Sequence, residues 1–412
     1  MLVRYRKYLY NCYEIKKEHK YVKRTRILRY QDVWGDNMMS EFRSNNCIEY
    51  FITMELPATS TPFYEIINSI FKRFNMLCEE NDLDKQYLIY TKIFLSDICN
   101  QADLISEYLK KNDNQKFYIL VGQAPASGAK IAFEAYFCKP VNNVEIELHV
   151  KKNSVSVKHG DYVTTWGNLV PDSHEDSYKQ TEKLIGDLSS EVKETGGNIK
   201  DNVLRTWFYI RDIDNNYHGM VNARREWFDK ENMTKDTHYI TSTGIEGCSA
   251  LASNLVQLSY ISALGVKKEQ IEFLAAPEYM NPTHEYGVTF ERGVKVTYGD
   301  RTHYYISGTA SIDNEGNILY PNDVVKQIER VFTNIEALLV GYKASISDLK
   351  IILVYLRDYS DYQVISDYLE KRFQGSIPYI ILKAPICRPG WLVEIEGIAV
   401  NADKDDKFKA FV

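Results

Sequence analysis

Three stretches far apart in the chain end alike: KIFLSDICN, WFYIRDIDN and LVYLRDYSD. Each is an apolar run that stops at an aspartate, Asp97, Asp212 or Asp358, and each lies between amphipathic segments. A repeat of this kind implies a chain made of copies of one supersecondary unit, and it has to be settled before any motif is interpreted. The last copy is the clearest. Residues 303–313 form a strand running into a turn. From Asp323, the residues Val324, Val325, Ile328, Val331, Phe332, Ile335, Leu338 and Leu339 recur at intervals of three and four, which predicts a helix capped by Asp323 and stopped by Gly341. A strand over 349–356, a helix over 362–373 and a final strand within 383–400 complete the order strand, helix, strand, helix, strand. The middle copy predicts helices at 178–188 and 219–228, a strand at 203–210, and a closing loop and strand at 238–244 and 253–261. In the first copy the helices are 63–77 and 102–109, the strand is 87–95, and 118–137 closes the unit. The closing loops GQAPASG and KAPICRPG also match. This divides the chain into units at 1–140, 141–265 and 301–412, with a turn-rich linker at 266–300.

A length of 412 residues, 44% hydrophobic and 26% charged, suits three packed units. The seven cysteines are odd in number, scattered and without CxxC spacing, so a reducing cytoplasm is expected. No apolar run reaches membrane-span length, and no membrane partner is expected. Residues 4–29 are basic and rich in tyrosine, a pattern that suits either a nucleic-acid surface or a strand pair with one wet face. The chain as a whole carries a net charge of -6, so nucleic acid is not the expected partner. GxGxxG, GxxxxGK[ST] and HExxH are all missing from the sequence, so no metal or other cofactor is expected, and His218, His284 and His303 read as structural or surface residues.

Chemistry enters at the last strand, in KAPICRPGWLVEIEGIAV. At a period of two, Glu394 and Glu396 share one face of an otherwise apolar run. A buried carboxyl is costly unless it is paired or stays protonated, and one protonated near neutrality is what proton transfer requires. The alternative is that these acids face solvent or pair with an arginine. The repeats separate the two residues. Glu394 aligns with Ala132 and Gln257, so only one of three clefts would carry an acid there, whereas Glu396 aligns with Glu134, which suggests a structural role. Arg224 and Arg225 lie on a helix whose other face is Met220, Val221, Trp227 and Phe228, so a solvated or ion-paired role is expected for them.

The third unit resembles the RidA (YjgF) family in SGTASID, in a helix bearing Gln327 and Asn334, in LVYLRDYSDY and in VEIEGIAV. That resemblance implies an α/β (α+β) fold of the chorismate-mutase-like type. Three such units in one chain would form a pseudo-trimeric barrel, monomeric through its internal repeats, with clefts at the unit boundaries. In that family imine hydrolysis uses an arginine shortly after a proline ahead of the last strand, and Ile377-Pro378-Tyr379-Ile380-Ile381 has none. The chain is also similar to the chorismatase family, in ICRPGWLVEIEG, SGTAS, TWFYIRDI, STGIEG and YMNPTHEYGVTFER. This resemblance implies that Glu394 protonates the enolpyruvyl group of chorismate. It also implies that Cys387, seven residues earlier, steers the product toward 3-hydroxybenzoate, and that Arg292 binds a substrate carboxylate with Tyr279 upstream of it. Arg388 is a further candidate for holding a carboxylate, and Thr243 and Gly244 for lining the cleft. The expected function is removal of pyruvate from chorismate or a related carboxylic acid. The alternatives are an imine or enamine deaminase and a non-catalytic protein that binds a small carboxylate.

Overall fold

The computed structural model describes residues 28–32, 35–113 and 117–412, and the basic stretch up to residue 27 lies outside them. The first unit contains β1 (Leu28–Asp32), β2 (Gly35–Arg43), β3 (Cys47–Glu55), α1 (Phe63–Glu80), β4 (Leu88–Leu95), α2 (Ile98–Tyr108), β5 (Tyr118–Val121), β6 (Ala124–Pro125) and β7 (Ile131–Pro140). The second has β8 (Glu147–Val150), β9 (Ser154–His159), β10 (Tyr162–Leu169), α3 (Ser177–Glu194), the short α4 (Ile199–Asn202), β11 (Val203–Ile210), α5 (Ile213–Lys230), β12 (Thr241–Glu246) and β13 (Val256–Leu264). The third has β14 (Ile271–Phe273), β15 (Gly293–Thr297), β16 (Thr302–Ala310), α6 (Val324–Val340), β17 (Leu349–Leu356), α7 (Tyr362–Phe373), β18 (Tyr379–Lys383) and β19 (Val393–Asn401). Among the described residues no helix is long and apolar enough to cross a membrane.

Hydrogen bonding gives three sheets, ordered β1-β2-β3-β7-β4-β5, β12-β11-β13-β10-β9-β8 and β14-β15-β16-β19-β17-β18-β6. The inner four strands follow one plan: β3-β7-β4-β5, β10-β13-β11-β12 and β16-β19-β17-β18. In each, the last two strands are parallel and joined through a helix, as a parallel pair requires. The repeated aspartate marks a helix start in every unit. Asp97 and Asp212 are the N-caps of α2 and α5, and Asp358 caps the 3-10 turn leading into α7. The Asp358 carboxylate caps by accepting from the Ser360 amide at 2.8 Å, whereas those of Asp97 and Asp212 accept from the side chains of Asn100 at 2.6 Å and Asn215 at 2.8 Å and make no bond to the helix backbone. Two helices begin earlier than hydrophobic periodicity suggests, at Ile98 rather than 102 and at Ile213 rather than 219, because their first turns are mostly polar.

Strand alternation sorts the core. Along β7, Ile131, Phe133, Ala135 and Phe137 pack under α1 and α2, while Ala132, Tyr136 and Cys138 face the core shared by all three sheets. In β11 the split is the same, with Phe208 and Ile210 toward the helices and Trp207 and Tyr209 toward the shared core. The closing loops join the units at three seams. Ala124 and Pro125 pair with Lys383 and Leu382, Ile245 bridges Ile386, and the Gly122 amide donates to the Cys248 carbonyl at 2.7 Å.

The shared core also contains charge. Glu49 on β3 accepts from Arg301 and from Tyr136 Oη at 2.8 Å, and lies 3.0 Å from His303 Nε2. His303 is thus structural. Burial alone would push the Glu49 carboxyl up, but His303 and Arg301 outweigh it and hold it at about 2. A depressed folded-state value means that the stabilisation is complete above the unfolded value near 4.5 and is lost as pH falls toward 2. Glu49→Gln is expected to lower stability to chemical denaturation by about 3 kcal/mol at pH 7 and to remove part of the acid sensitivity between pH 5 and 2. A variant as stable and as acid-sensitive as the parent would exclude this role.

Candidate active site

A cavity of about 250 Å3 opens at the seam between the second and third units. The third unit contributes Gly308 and Ala310 from β16, Glu394 from β19, and Cys387, Arg388 and Trp391 from its closing loop. The second unit contributes Tyr217, His218, Val221 and Arg224 from α5, and Ser242, Thr243 and Gly244 from β12. The linker contributes Arg292, with Gly287 at φ 84° turning its backbone over the cavity.

Strand register places Glu394 as the repeats suggest. Counting back from the ends of β4, β11 and β17, Phe94 opposes Ala132, Tyr209 opposes Gln257, and Tyr355 opposes Glu394. Glu394 is 6% exposed. Its carboxyl is pushed up to about 8, chiefly by burial and next by the charge of Glu396, against opposing contributions from Arg205 and Arg292. Space for it depends on Gly308, where an added Cβ would collide with Glu394 Oε1. Glu396 lies outside the cavity lining and is fully engaged. It accepts from Arg205 Nη2 at 2.8 Å, Trp207 Nε1 at 2.7 Å and Thr243 Oγ1 at 2.5 Å.

The other sequence candidates fare differently. Arg292 is buried, donates from Nη2 to the Asn281 carbonyl at 2.9 Å, and lies 5.6 Å from the Phe290 ring. Arg388 lies over Trp391 at 5.1 Å, and the indole donates to the Ser311 carbonyl at 3.1 Å. The Cys387 thiol is pushed up to about 12, mainly by burial and then by Glu394, so it is protonated at neutral pH and no nucleophile. Gly244 packs beneath Tyr217, with 3.2 Å from an added Cβ to the ring. Thr243 reaches the cavity wall, but its hydroxyl donates to Glu396 and accepts from the Gly308 amide at 2.9 Å and from Arg205. Tyr279 is not brought in. It is 38% exposed on a linker turn, where its carbonyl accepts from Arg330 Nη2 at 2.7 Å.

Arg224 corrects the sequence reading. It is 2% exposed and lines the cavity, with hydroxyl partners Thr289 at 3.3 Å and Ser242 at 3.4 Å, whereas Arg225 is exposed and bonds Asn222. Tyr217, Val221 and Arg224 stand at i, i+4 and i+7, a helical stripe that could have identified this face. The arrangement is a protonated acid facing three guanidinium groups, Arg224, Arg292 and Arg388. It can transfer a proton and hold anionic groups on a ligand. Among the described residues no cluster of His, Cys, Asp and Glu could hold a metal ion.

A raised folded-state value has the opposite pH sign to that of Glu49. The contribution of Glu394 to stability is complete below about 4.5 and declines as pH rises to about 8. Glu394→Gln is therefore expected to stabilise the fold, with a gain that grows between pH 5 and 8 to at most about 4 kcal/mol. Thermal unfolding of both proteins across that range checks this, and a gain that is absent or independent of pH would exclude a buried protonated acid.

Comparison with known proteins places these features. The family profile for endoribonuclease L-PSP matches residues 292–401. A 3-hydroxybenzoate synthase of Streptomyces hygroscopicus is 25% identical over 284 residues, covering 63% of this chain and 80% of that protein. A 2-iminobutanoate/2-iminopropanoate deaminase of Capra hircus is 33% identical over 106 residues, covering 25% of this chain and 74% of that one. The crystal structure of a chorismatase superposes with a TM-score of 0.61 at 16% identity, covering 87% of this chain and all of the other, a likeness of fold. The chain belongs to the RidA (endoribonuclease L-PSP) superfamily, as a chorismatase-like member.

Proposed function

We propose that the protein removes the enolpyruvyl group of chorismate, or of a closely related carboxylic acid, as pyruvate, with Glu394 as the general acid. One observation carries this reading: a buried carboxyl, protonated near neutral pH, opens into a cavity walled by three guanidinium groups. An enolpyruvyl ether presents an electron-rich terminal carbon and a carboxylate. Protonating that carbon places positive charge on the neighbouring carbon and ether oxygen. Water added to the charged carbon gives a hemiketal whose ether C–O bond breaks, releasing pyruvate and the ring alcohol and returning the proton to Glu394. The barrier falls if the acid is strong enough to give up its proton and the substrate is fixed against it. Burial keeps Glu394 protonated until substrate arrives, and Arg292, Arg224 and Arg388 are the groups suited to fix carboxylates in bidentate fashion.

The relation to a protein named 3-hydroxybenzoate synthase supports this substrate class, and Cys387 beside the acid agrees with 3-hydroxybenzoate as the aromatic product. The imine deaminase reading has less support. Its relative matches only a quarter of the chain, and the segment joining α7 to β18 and leading through it, Ile377-Pro378-Tyr379-Ile380-Ile381, contains no guanidinium for an imine carboxylate.

The test is pyruvate release from chorismate by the purified protein, with Glu394→Gln alongside. Release is expected from the parent, declining as pH rises through about 8 as the acid form is lost, and lower by about 10²–10⁴-fold in the variant. No release from the parent, or equal release from the variant, would sink the reading; in the first case, retained binding of chorismate would favour a carboxylate-binding protein. Arg292→Leu is expected to raise KM about 10–100-fold with a smaller effect on kcat, the size of a lost charged hydrogen bond. An unchanged KM would remove Arg292 from substrate binding.

A further inference from the structure

Glu396 touches no part of the cavity, yet it lies two residues from Glu394 on the same face of β19, and both carboxyls are buried. The donors that hold it within 2.8 Å come from the neighbouring unit: Arg205 and Trp207 on β11 and Thr243 on β12. Its own cross-strand partner on β17 is Leu353, whose side chain has nothing to donate. The first unit solves the same position differently. There Glu134 faces Lys92 within its own sheet at 3.0 Å, and the residue aligned with Glu394 is Ala132. In the third unit the facing position is apolar, and the phenol of Tyr355 on β17 is the group of its own sheet beside Glu396, where burial and then the Glu396 charge push that phenol up. The close donors come from across the seam, and the adjacent position has become an acid.

We infer that Glu396 is a positioning residue for the acid, its carboxylate held by Arg205, Trp207 and Thr243 of the second unit so that its charge keeps Glu394 the proton-bearing member of the pair. Two carboxyls this close in a buried site do not both ionise readily, and the one with more donors takes the charge. The three donors sit on Glu396, and Thr243 links the two acids by gripping Gly308, whose missing side chain makes room for Glu394 Oε1. The groups around Glu394 pull in both directions. Arg205 from β11 and Arg292 from the linker favour its ionised form, and Arg224 on α5 and Arg388 in the closing loop line the same cavity. Cys387 beside it is a neutral thiol, and Tyr217 and His218 complete the α5 wall. Against Arg205 and Arg292, burial and the Glu396 charge are what keep the proton in place. The competence of the third unit's acid is therefore set by the second unit across the seam.

The inference rests on Glu394 as the acid, and its test needs no substrate. The protonated carboxyl of Glu394 has an infrared carbonyl band, identified by its loss in Glu394→Gln, and the band is titrated in the otherwise intact protein. Glu396→Gln is expected to move the midpoint down by about one pH unit or more, because Arg205 is then left facing Glu394 with its partner's charge removed. Glu396→Asp retains the charge and is expected to hold the midpoint near that of the parent. If chorismate is the substrate, the upper limb of the rate profile shifts with the midpoint while KM stays within about twofold, since Glu396 lies outside the cavity lining. A midpoint unmoved in Glu396→Gln would overturn the inference. Should that variant fail to fold, a midpoint that falls to the ordinary carboxyl range in Glu396→Asp, which still carries the charge, would overturn it equally. Absence of pyruvate release would sink the proposed reaction and leave the infrared result standing.

Discussion

The structure depends on buried charges that find partners between sheets. Packing three half-apolar sheets through their inner faces leaves no water for an ion on those faces, so each carboxylate there needs an opposing donor in place before the packing is favourable. The chain meets this with an ion pair across two seams and a cation over an aromatic ring at the third. Glu49 of the first sheet meets Arg301 of the third, Arg205 of the second meets Glu396 of the third, and Lys92, paired to Glu134 in the first sheet, lies 4.4 Å from the ring of Trp207 in the second. Such pairs are weak sources of net stability, but a missing partner is costly, so they discriminate strongly against a shifted register. The second-to-third seam gains most from this. The lock on Glu396 fixes β11 and β12 against β19, Thr243 also accepts from the Gly308 amide of β16, and the cavity forms along that same line of contact.

The repeat was legible because a period of two and an aspartate at the strand-to-helix junction survive divergence. The run from Leu88 to Leu95 has its counterparts at Val203 to Ile210 and Leu349 to Leu356, and counting back from their ends was enough to set Ala132, Gln257 and Glu394 at one position. The beginnings of α2 and α5 were not legible. Asn100 and Gln101, and Asp214 to Tyr217, form first turns without an apolar stripe, and the aspartates at those starts make no side-chain bond to the helix backbone.

The site was legible where it lies on the strand and obscure where it lies on the helix. An acid in the apolar run of β19 stands out, but on α5 the polar side of the helix serves two different surroundings. Arg225 faces solvent and Arg224 faces the cavity, and hydrophobic periodicity cannot separate water outside the protein from a polar cavity inside it. Tyr279 failed for a related reason. Spacing along a linker does not encode the direction in which a turn points, and the turn at residues 276–280 carries that ring out over Arg330.

Three unlike units in one chain allow what a symmetric trimer cannot. In a symmetric assembly every seam carries the same residues, so a buried acid of raised pKa would recur three times, each copy destabilising the fold at neutral pH. Here the positions equivalent to Glu394 have become ordinary core. Ala132 is packed in the shared core, and the Gln257 amide nitrogen donates to the Leu120 carbonyl of the first unit at 3.0 Å and to Asn168 of its own unit at 2.9 Å. The remaining seam can then hold an acid from one unit and the cations and hydroxyl network of another, each wall having changed independently. A single strained position is tolerable when two related seams are well packed, and that division of labour is what the internal repeat provides.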